Sequence, residues 1–121
     1  MSRLATRFDA LKTQGKTALL PYVMASEPCP EITLPLRHAM VEAGADVIEL
    51  GAPFSDPMAD GPVIQLAAER SLAHGTSMHD VLALVKAFRE NDNDTPIIVM
   101  GYLNPIEVMG YREFAQHAAE S

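Results

Sequence analysis

The sequence predicts an α/β fold with a parallel sheet, in which three strand–helix units follow an N-terminal helix. Short apolar segments alternate with longer segments of helical periodicity along all 121 residues, an order typical of parallel strands joined by helical crossovers. The second apolar segment, Asp46–Leu50, contains only one acid, Glu49, beyond its first residue. That pattern is expected of a parallel strand covered on both faces.

Apolar residues at helical spacing predict the N-terminal helix. Leu4, Phe8 and Leu11 would share one face of this helix, and Gly15 favours its end. The apolar segment Ala18–Met24 then predicts the first strand.

The first crossover helix is predicted to begin at Thr33, because a threonine hydroxyl can accept a hydrogen bond from a backbone amide of the first turn. Pro35 would fall in that turn, where its missing N–H is tolerated. Gly44 is expected just past the end of the helix. The residues expected on its buried face are Leu36, Met40 and Ala43.

The second crossover is predicted to contain a long loop, Gly51–Gly61, and two helices. Pro62 favours the first position of the first helix. Ser77, with Asp80 three residues later, resembles a capping box at the start of the second. The residues expected on the two buried faces are Ile64, Ala67, Ala68 and Leu72, and then Val81, Leu82, Val85 and Phe88.

The third strand is the clearest one in the chain, because Pro96–Tyr102 is almost entirely apolar. Leu103–Pro105 is predicted to form a loop before a last helix. The apolar face of that helix is expected to contain Tyr111, Phe114, Ala115 and Ala118.

Composition and charge limit the classes of function. The hydrophobic fraction of 48% and the charged fraction of 21% fit a globular protein. The formal net charge of −7 disfavours nucleic-acid binding, because phosphate backbones would be repelled. Cys29 is the single cysteine, so no internal disulfide can form. The absence of a long apolar segment and of a signal-peptide pattern predicts a cytoplasmic protein.

Glu49 is the main candidate for a catalytic residue. Alternation along its strand would turn Ile48 and Leu50 toward the helices and Glu49 toward the opposite face, at the strand end where α/β barrels place their active sites. A carboxylate partly removed from water there can both accept and donate a proton. The alternative is a structural Glu49 that is satisfied by a backbone or basic group.

The loop after Glu49 supplies the second candidate, Asp60. Long loops at this position carry function, and this one contains two acids and an aromatic residue. Asp60 could face the pocket as a hydrogen-bond acceptor, or it could cap the helix that follows. Oxygen ligation of Mg²⁺ by Glu49, Asp56 and Asp60 is a further alternative.

The four histidines are scattered, and none lies at a strand end. His38, His74, His79 and His117 are therefore expected to have ordinary surface or partly buried roles.

The segment Glu49–Pro62 resembles the signature of the tryptophan synthase alpha subunit family. Ala43–Asp46, Val63–Gln65 and Met100–Ile106 resemble adjoining parts of the same family, and the likeness extends over essentially the whole chain. The resemblance implies a partial (βα)8 TIM barrel, with residues 1–121 as the N-terminal half of a single barrel domain. The family's phosphate site belongs to loops after the late strands.

The activity that the resemblance implies is a carbon–carbon lyase of tryptophan biosynthesis, which cleaves indole-3-glycerol phosphate to indole and glyceraldehyde 3-phosphate. Glu49 would be the general acid/base and Asp60 its partner carboxylate. The residues that would line the indole pocket are Tyr22, Ile64, Met100 and Tyr102. A different, metal-assisted barrel enzyme and a non-catalytic half-barrel that only contacts a partner are the alternatives. The isolated chain is expected to be inactive.

The resemblance also implies a partner, the beta subunit of an α2β2 complex. Pyridoxal phosphate belongs to that subunit, so no cofactor and no metal is expected in this chain. The residues that would meet the partner are Pro53, Asp56, Asn104 and Pro105. One departure concerns the turn after the first strand, where the family reads more like Thr-x-Gly-Asp-Pro and this chain has Ser26 in place of the glycine. We expect an altered loop geometry there.

Overall fold

The computed structural model describes residues 2–121 and has the α/β architecture of the first three βα units of a TIM barrel behind an N-terminal helix. The described strands form one parallel sheet in the order β1-β2-β3. In chain order the elements are α1 (Arg3–Thr13), β1 (Tyr22–Met24), α2 (Pro30–Glu42), β2 (Ile48–Gly51), α3 (Pro62–Ala73), α4 (Met78–Arg89), β3 (Ile97–Met100), α5 (Leu103–Met109) and α6 (Tyr111–Ala119). No helix within residues 2–121 combines the length and the apolar composition that crossing a bilayer requires.

The parallel register places alternate strand residues on two faces of the sheet. Tyr22, Glu49 and Ile98 are aligned across the three strands, so their side chains share one face. Leu50 and Val99, one residue further along, lie on the opposite face and pack with α4. The Glu49 face is therefore the one turned away from the helices, toward the barrel interior, as the alternation predicts.

The hydrophobic core lies between the outer face of the sheet and α4. Leu50 and Ala25 are completely buried in it. The other buried members of this cluster are Ala52, Met78, Val81, Leu82 and Val85. The predicted buried face of α4 is confirmed, since its four residues, including Phe88, are all buried.

Three helix ends follow the predicted local signals. Gly15 has φ 65, the left-handed conformation that lets the chain leave α1. Pro62 occupies the first turn of α3. Both hydrogen bonds of the capping box between Ser77 and Asp80 are present at the start of α4.

The predicted start of α2 is wrong, because the helix begins at Pro30 rather than at Thr33. Proline suits the first helical position, where the N–H has no intrahelical acceptor. Thr33 lies inside the helix and its hydroxyl donates to the Cys29 carbonyl at 3.0 Å. The cap residue is Cys29, without a side-chain capping bond.

The predicted buried face of α2 is also shifted. Thr33 and Arg37, one turn apart, are its buried residues, whereas Leu36 is only half-buried. The guanidinium of Arg37 donates from Nη1 to the Thr33 carbonyl, but its Nε and Nη2 have no hydrogen-bond partner among residues 2–121. Burial lowers the pKa of Arg37 to about 10. A charged residue that sequence periodicity would place on the surface thus lies in the core.

Two further predictions differ from the structure. The first strand begins at Tyr22 because Pro21 has no N–H to donate, although the Leu19 carbonyl still accepts the amide of Asp46 at 2.9 Å. The predicted loop Leu103–Pro105 is instead the first turn of α5. Proline fits there because first-turn amides need no helical acceptor.

The turn after β1 keeps a conformation that suits glycine. Ser26 has φ 59, in the left-handed region that costs a residue with a Cβ about 1–2 kcal/mol. Ser26 is also buried, so the turn is held by its surroundings. The departure from the family pattern therefore leaves strain in the backbone at this position.

Candidate active site

A cavity of about 200 Å³ lies at the carboxyl ends of the three strands. Of the predicted site residues, the cavity brings together Tyr22, Asp60, Met100 and Tyr102. The remaining lining residues are Met24, Ala52, Phe54, Ala59, Ala68 and Gly101. One acid, two phenols and an otherwise apolar lining suit a mostly apolar ligand with a few polar groups.

Glu49 stands beside this cavity rather than in its lining. It is half-buried and is aligned in the sheet with Tyr22, on the same face. Burial, and then the charges of Asp60 and Glu49, raise the pKa of Tyr22 to about 12. Both carboxylates therefore disfavour the negatively charged phenolate form of Tyr22, and its phenol stays protonated at neutral pH.

The Tyr22 hydroxyl is a buried donor without a partner. Its oxygen is shielded from solvent and makes no hydrogen bond to any residue in the described part of the chain. Buried polar groups are almost always satisfied, because leaving one unpaired costs about 1–3 kcal/mol. A polar group on a ligand in the cavity would satisfy it.

Hydrogen bonds to the backbone of Asp60 fix the position of this residue. Its amide and that of Ala59 donate to the Tyr102 hydroxyl at 3.2 Å and 2.9 Å. Gln65 donates from Nε2 to the Asp60 carbonyl at 2.7 Å. The cap of α3 is Gly61, without a side-chain capping bond, so the helix-capping alternative for the Asp60 carboxylate does not hold.

Stacking also holds the loop over the strand ends. The rings of Phe54 and Tyr102 lie 5.6 Å apart at an angle of 40°. Such offset aromatic contacts stabilise the packing beyond the buried area. Tyr102 thus ties the loop after β2 to the end of β3 by two hydrogen bonds and one ring contact.

Gly51 is a site residue that sequence reasoning missed. A Cβ at this position would lie 2.7 Å from Tyr22 Cζ, well inside van der Waals contact, so any larger residue would force the phenol to shift. Its signal in the sequence was a glycine at the end of a strand, which often marks a close approach. What approaches it could not be known without the fold.

Two predicted roles fit this geometry less directly. Ile64 is half-buried in the first turn of α3 and does not line the cavity. The ligand atoms of Glu49, Asp56 and Asp60 do not come within 4.8 Å of one another as a group, so the alternative of a three-acid Mg²⁺ site lacks support.

Three of the predicted partner-contact residues border a second, surface groove of about 300 Å³. Pro53, Asn104 and Pro105 line it together with Val108, which is 90% exposed. Asp56 is exposed on the neighbouring loop and accepts a hydrogen bond from Ser55 Oγ at 2.6 Å. The groove is lined in part by the apolar side chains of Pro53, Pro105, Val108 and Met109.

Comparisons with known proteins find similar sequences over nearly the whole chain. Residues 8–121 match the family model described as tryptophan synthase alpha chain. The tryptophan synthase alpha chain of Acinetobacter baylyi is 65% identical over 118 residues, which cover 98% of this chain and 44% of that protein.

Solved structures show the same likeness. Tryptophan synthase subunit alpha from Legionella pneumophila str. Paris is 55% identical with a TM-score of 0.97, covering 99% of this chain and 46% of that one. A chain of the tryptophan synthase complex from Pyrococcus furiosus is 41% identical with a TM-score of 0.78, covering 84% of this chain and 41% of that one. The chain spans less than half the length of these relatives.

Proposed function

Because the chain belongs to the tryptophan synthase alpha chain family, we propose that the complete protein cleaves indole-3-glycerol phosphate to indole and glyceraldehyde 3-phosphate. Residues 1–121 would form the N-terminal half of its single barrel domain. The observation that supports this lyase activity best is a cavity at the strand ends that is lined by Asp60 and lies beside the sheet face carrying Glu49.

The reaction is a retro-aldol cleavage that requires two proton transfers. Protonation of indole C3 turns the ring into a leaving group, and loss of the side-chain hydroxyl proton forms the aldehyde as the carbon–carbon bond breaks. Glu49 is proposed to carry out these transfers, since it is half-buried on the interior face at the mouth of the barrel.

Positive charge develops on the indole nitrogen while C3 is protonated. A carboxylate fixed near that N–H stabilises the charge, and the benefit is greatest when the carboxylate need not move. Asp60 suits this role because Tyr102 and Gln65 hold its backbone. Tyr22, Met100 and Tyr102 are proposed to contact the indole ring, whereas Ile64 lies outside the cavity lining.

Substitution of Glu49 in the complete protein tests the proposal. Glu49→Gln keeps the size of the side chain and removes its acid–base function, so kcat for indole-3-glycerol phosphate should fall by a factor of about 10²–10⁴ with little change in KM. Glu69→Gln, on the exposed face of α3, is the matched control and should leave kcat unchanged. A near-normal kcat for Glu49→Gln would remove Glu49 from the mechanism.

The same proposal includes a beta subunit as partner in a cytoplasmic α2β2 complex. Pyridoxal phosphate would belong to that subunit, and this chain would bind no cofactor. The groove bordered by Pro53, Asn104 and Pro105, with Asp56 beside it, is the proposed contact surface. A role confined to this contact is not favoured, since the two carboxylates and the cavity are present.

A charge placed in the groove tests the contact. Val108→Asp would bury a carboxylate against the partner, so the affinity for a beta subunit measured by calorimetry should fall at least tenfold, which is about 1.4 kcal/mol. The circular dichroism spectrum of the Val108→Asp variant should match that of the unmodified protein, because Val108 is exposed. Unchanged affinity would show that the partner binds elsewhere.

A further inference from the structure

Three side chains that can bind a metal lie together on the outer helical layer, apart from the candidate active site. His79 is in the first turn of α4, whereas Glu113 and His117 are on α6. The possible ligand atoms of the three all lie within 4.8 Å of one another. Glu113 and His117 share a helix face because they are four residues apart.

The distances suit a transition-metal ion. His79 Nε2 lies 2.8 Å from Glu113 Oε1, and His117 Nε2 lies 3.9 Å from the same oxygen. Zn²⁺ binds imidazole and carboxylate ligands at about 2.0–2.2 Å, so ligands on a tetrahedral ion are about 3.3 Å apart. The two observed separations bracket that value, and small side-chain rotations would make them equal.

We propose that His79, Glu113 and His117 form a binding site for a divalent transition metal of the Zn²⁺ class, which links α4 to α6. Two imidazoles and one carboxylate are a ligand set that Zn²⁺ uses when it keeps an open coordination position. Mg²⁺ and Ca²⁺ prefer oxygen ligands alone. The two imidazole ligands of the cluster therefore favour Zn²⁺ over Mg²⁺ and Ca²⁺.

The surroundings leave room for the remaining ligands. A cavity of about 320 Å³ is lined by both His79 and His117, so water can complete the coordination. Lys86 lines the same cavity, but its ammonium lies 3.9 Å from a carboxylate oxygen of Glu120, which offsets its charge. The capping box at the start of α4 fixes the backbone that carries His79.

An ion pair between His79 and Glu113 alone would not explain why His117 also lies near the same carboxylate. An exposed pair between His79 and Glu113 would contribute little by itself, because solvent screens the attraction between the two groups. The third group is what a metal site requires, since His117 brings a second imidazole nitrogen toward the same carboxylate oxygen. No residue of α6 is fully buried, although Phe114 packs against the hydrophobic core, so a metal tether to α4 would add a second anchor for this helix.

Zinc titration of the chelator-treated protein tests the site. Calorimetry at a pH above the ordinary histidine pKa of about 6.5 should show one Zn²⁺ bound per chain. Mg²⁺ under the same conditions should give no binding. Zn²⁺ should raise Tm, because an ion that binds only the folded state stabilises it, and EDTA should reverse the increase.

Variants assign the binding to these residues. His117→Ala and Glu113→Gln should each abolish the Zn²⁺ stoichiometry and the increase in Tm, while circular dichroism shows unchanged helix content at these exposed positions. His74→Ala, which removes an exposed histidine from outside the cluster, should bind Zn²⁺ like the unmodified protein. Absence of binding in the unmodified protein, or binding that survives both variants, would overturn the proposal.

Discussion

Replacing the buried arginine of α2 should make the protein more stable. Arg37 is completely buried, and two of its donor groups have no partner among residues 2–121. Arg37→Met keeps a long apolar stem in the same space and removes the charge and the unpaired donors. Substituting apolar residues for buried charges often stabilises a protein for the same reason.

The size of the effect follows from the pKa of the guanidinium. Burial lowers it from 12.5 to about 10. Because the unfolded chain binds the proton more tightly, the charged residue destabilises the folded state by about 3 kcal/mol at neutral pH. Leaving two donors unpaired gives a cost of similar order, about 1–3 kcal/mol for each. These are two descriptions of one desolvation cost, so they are not added.

Urea unfolding followed by far-UV circular dichroism measures this change, since the chain has no Trp for fluorescence. Arg37→Met should raise the free energy of unfolding by about 3 kcal/mol, which moves the urea midpoint up by about 1–3 M. Arg70→Met is the matched control. Arg70 is half-exposed and pairs with Glu27 at 2.8 Å, so its loss should change stability by no more than about 1 kcal/mol.

The opposite outcome would refute the reasoning. If Arg37→Met were no more stable than the unmodified protein, the guanidinium would have to be satisfied by groups outside the described contacts. A loss of several kcal/mol would indicate a broken buried ion pair, whose partner is left uncompensated.

Substitutions at Ser26 and Gly51 test the backbone geometry around the strand ends. Ser26→Gly should raise the free energy of unfolding by about 1 kcal/mol because it relieves the left-handed strain, whereas Ser26→Ala should bring no such gain; thermal or urea unfolding checks both. Gly51→Ala should destabilise the protein by about 1–3 kcal/mol, since the new Cβ would overlap the Tyr22 ring. Adding Tyr22→Leu should restore most of that loss, and failure to do so would show that the clash lies elsewhere.

Local sequence signals predicted the elements that depend on local physics. The capping box at Ser77 and the apolar stripe of α4 both appear where periodicity places them. The orientation of Glu49 follows from the two-residue period of a strand, so it too could be predicted. These features involve residues that are close together in the chain.

The features that sequence reasoning missed depend on distant contacts or on competing local signals. Gly51 needs its lack of a side chain only because Tyr22, on another strand, lies over it. His79 and His117 meet only after α6 packs beside α4, so their spacing in the chain gave no sign of a cluster. In α2, Thr33 was the predicted start, but Pro30 occupies the first helical position, which suits proline.

The alternating register of the sheet separates two kinds of mutational effect. Changes at Leu50 or Val99 alter the side that packs with α4, and would reduce the amount of folded protein recovered from cells. Changes at Glu49 or Tyr22 alter the other side, and under the proposed lyase function they would reduce turnover at normal yield. A saturation mutagenesis scan that scores protein abundance and catalysis separately should therefore show a simple alternation along each strand. Positions at which substitutions reduce abundance should alternate with positions at which substitutions reduce turnover.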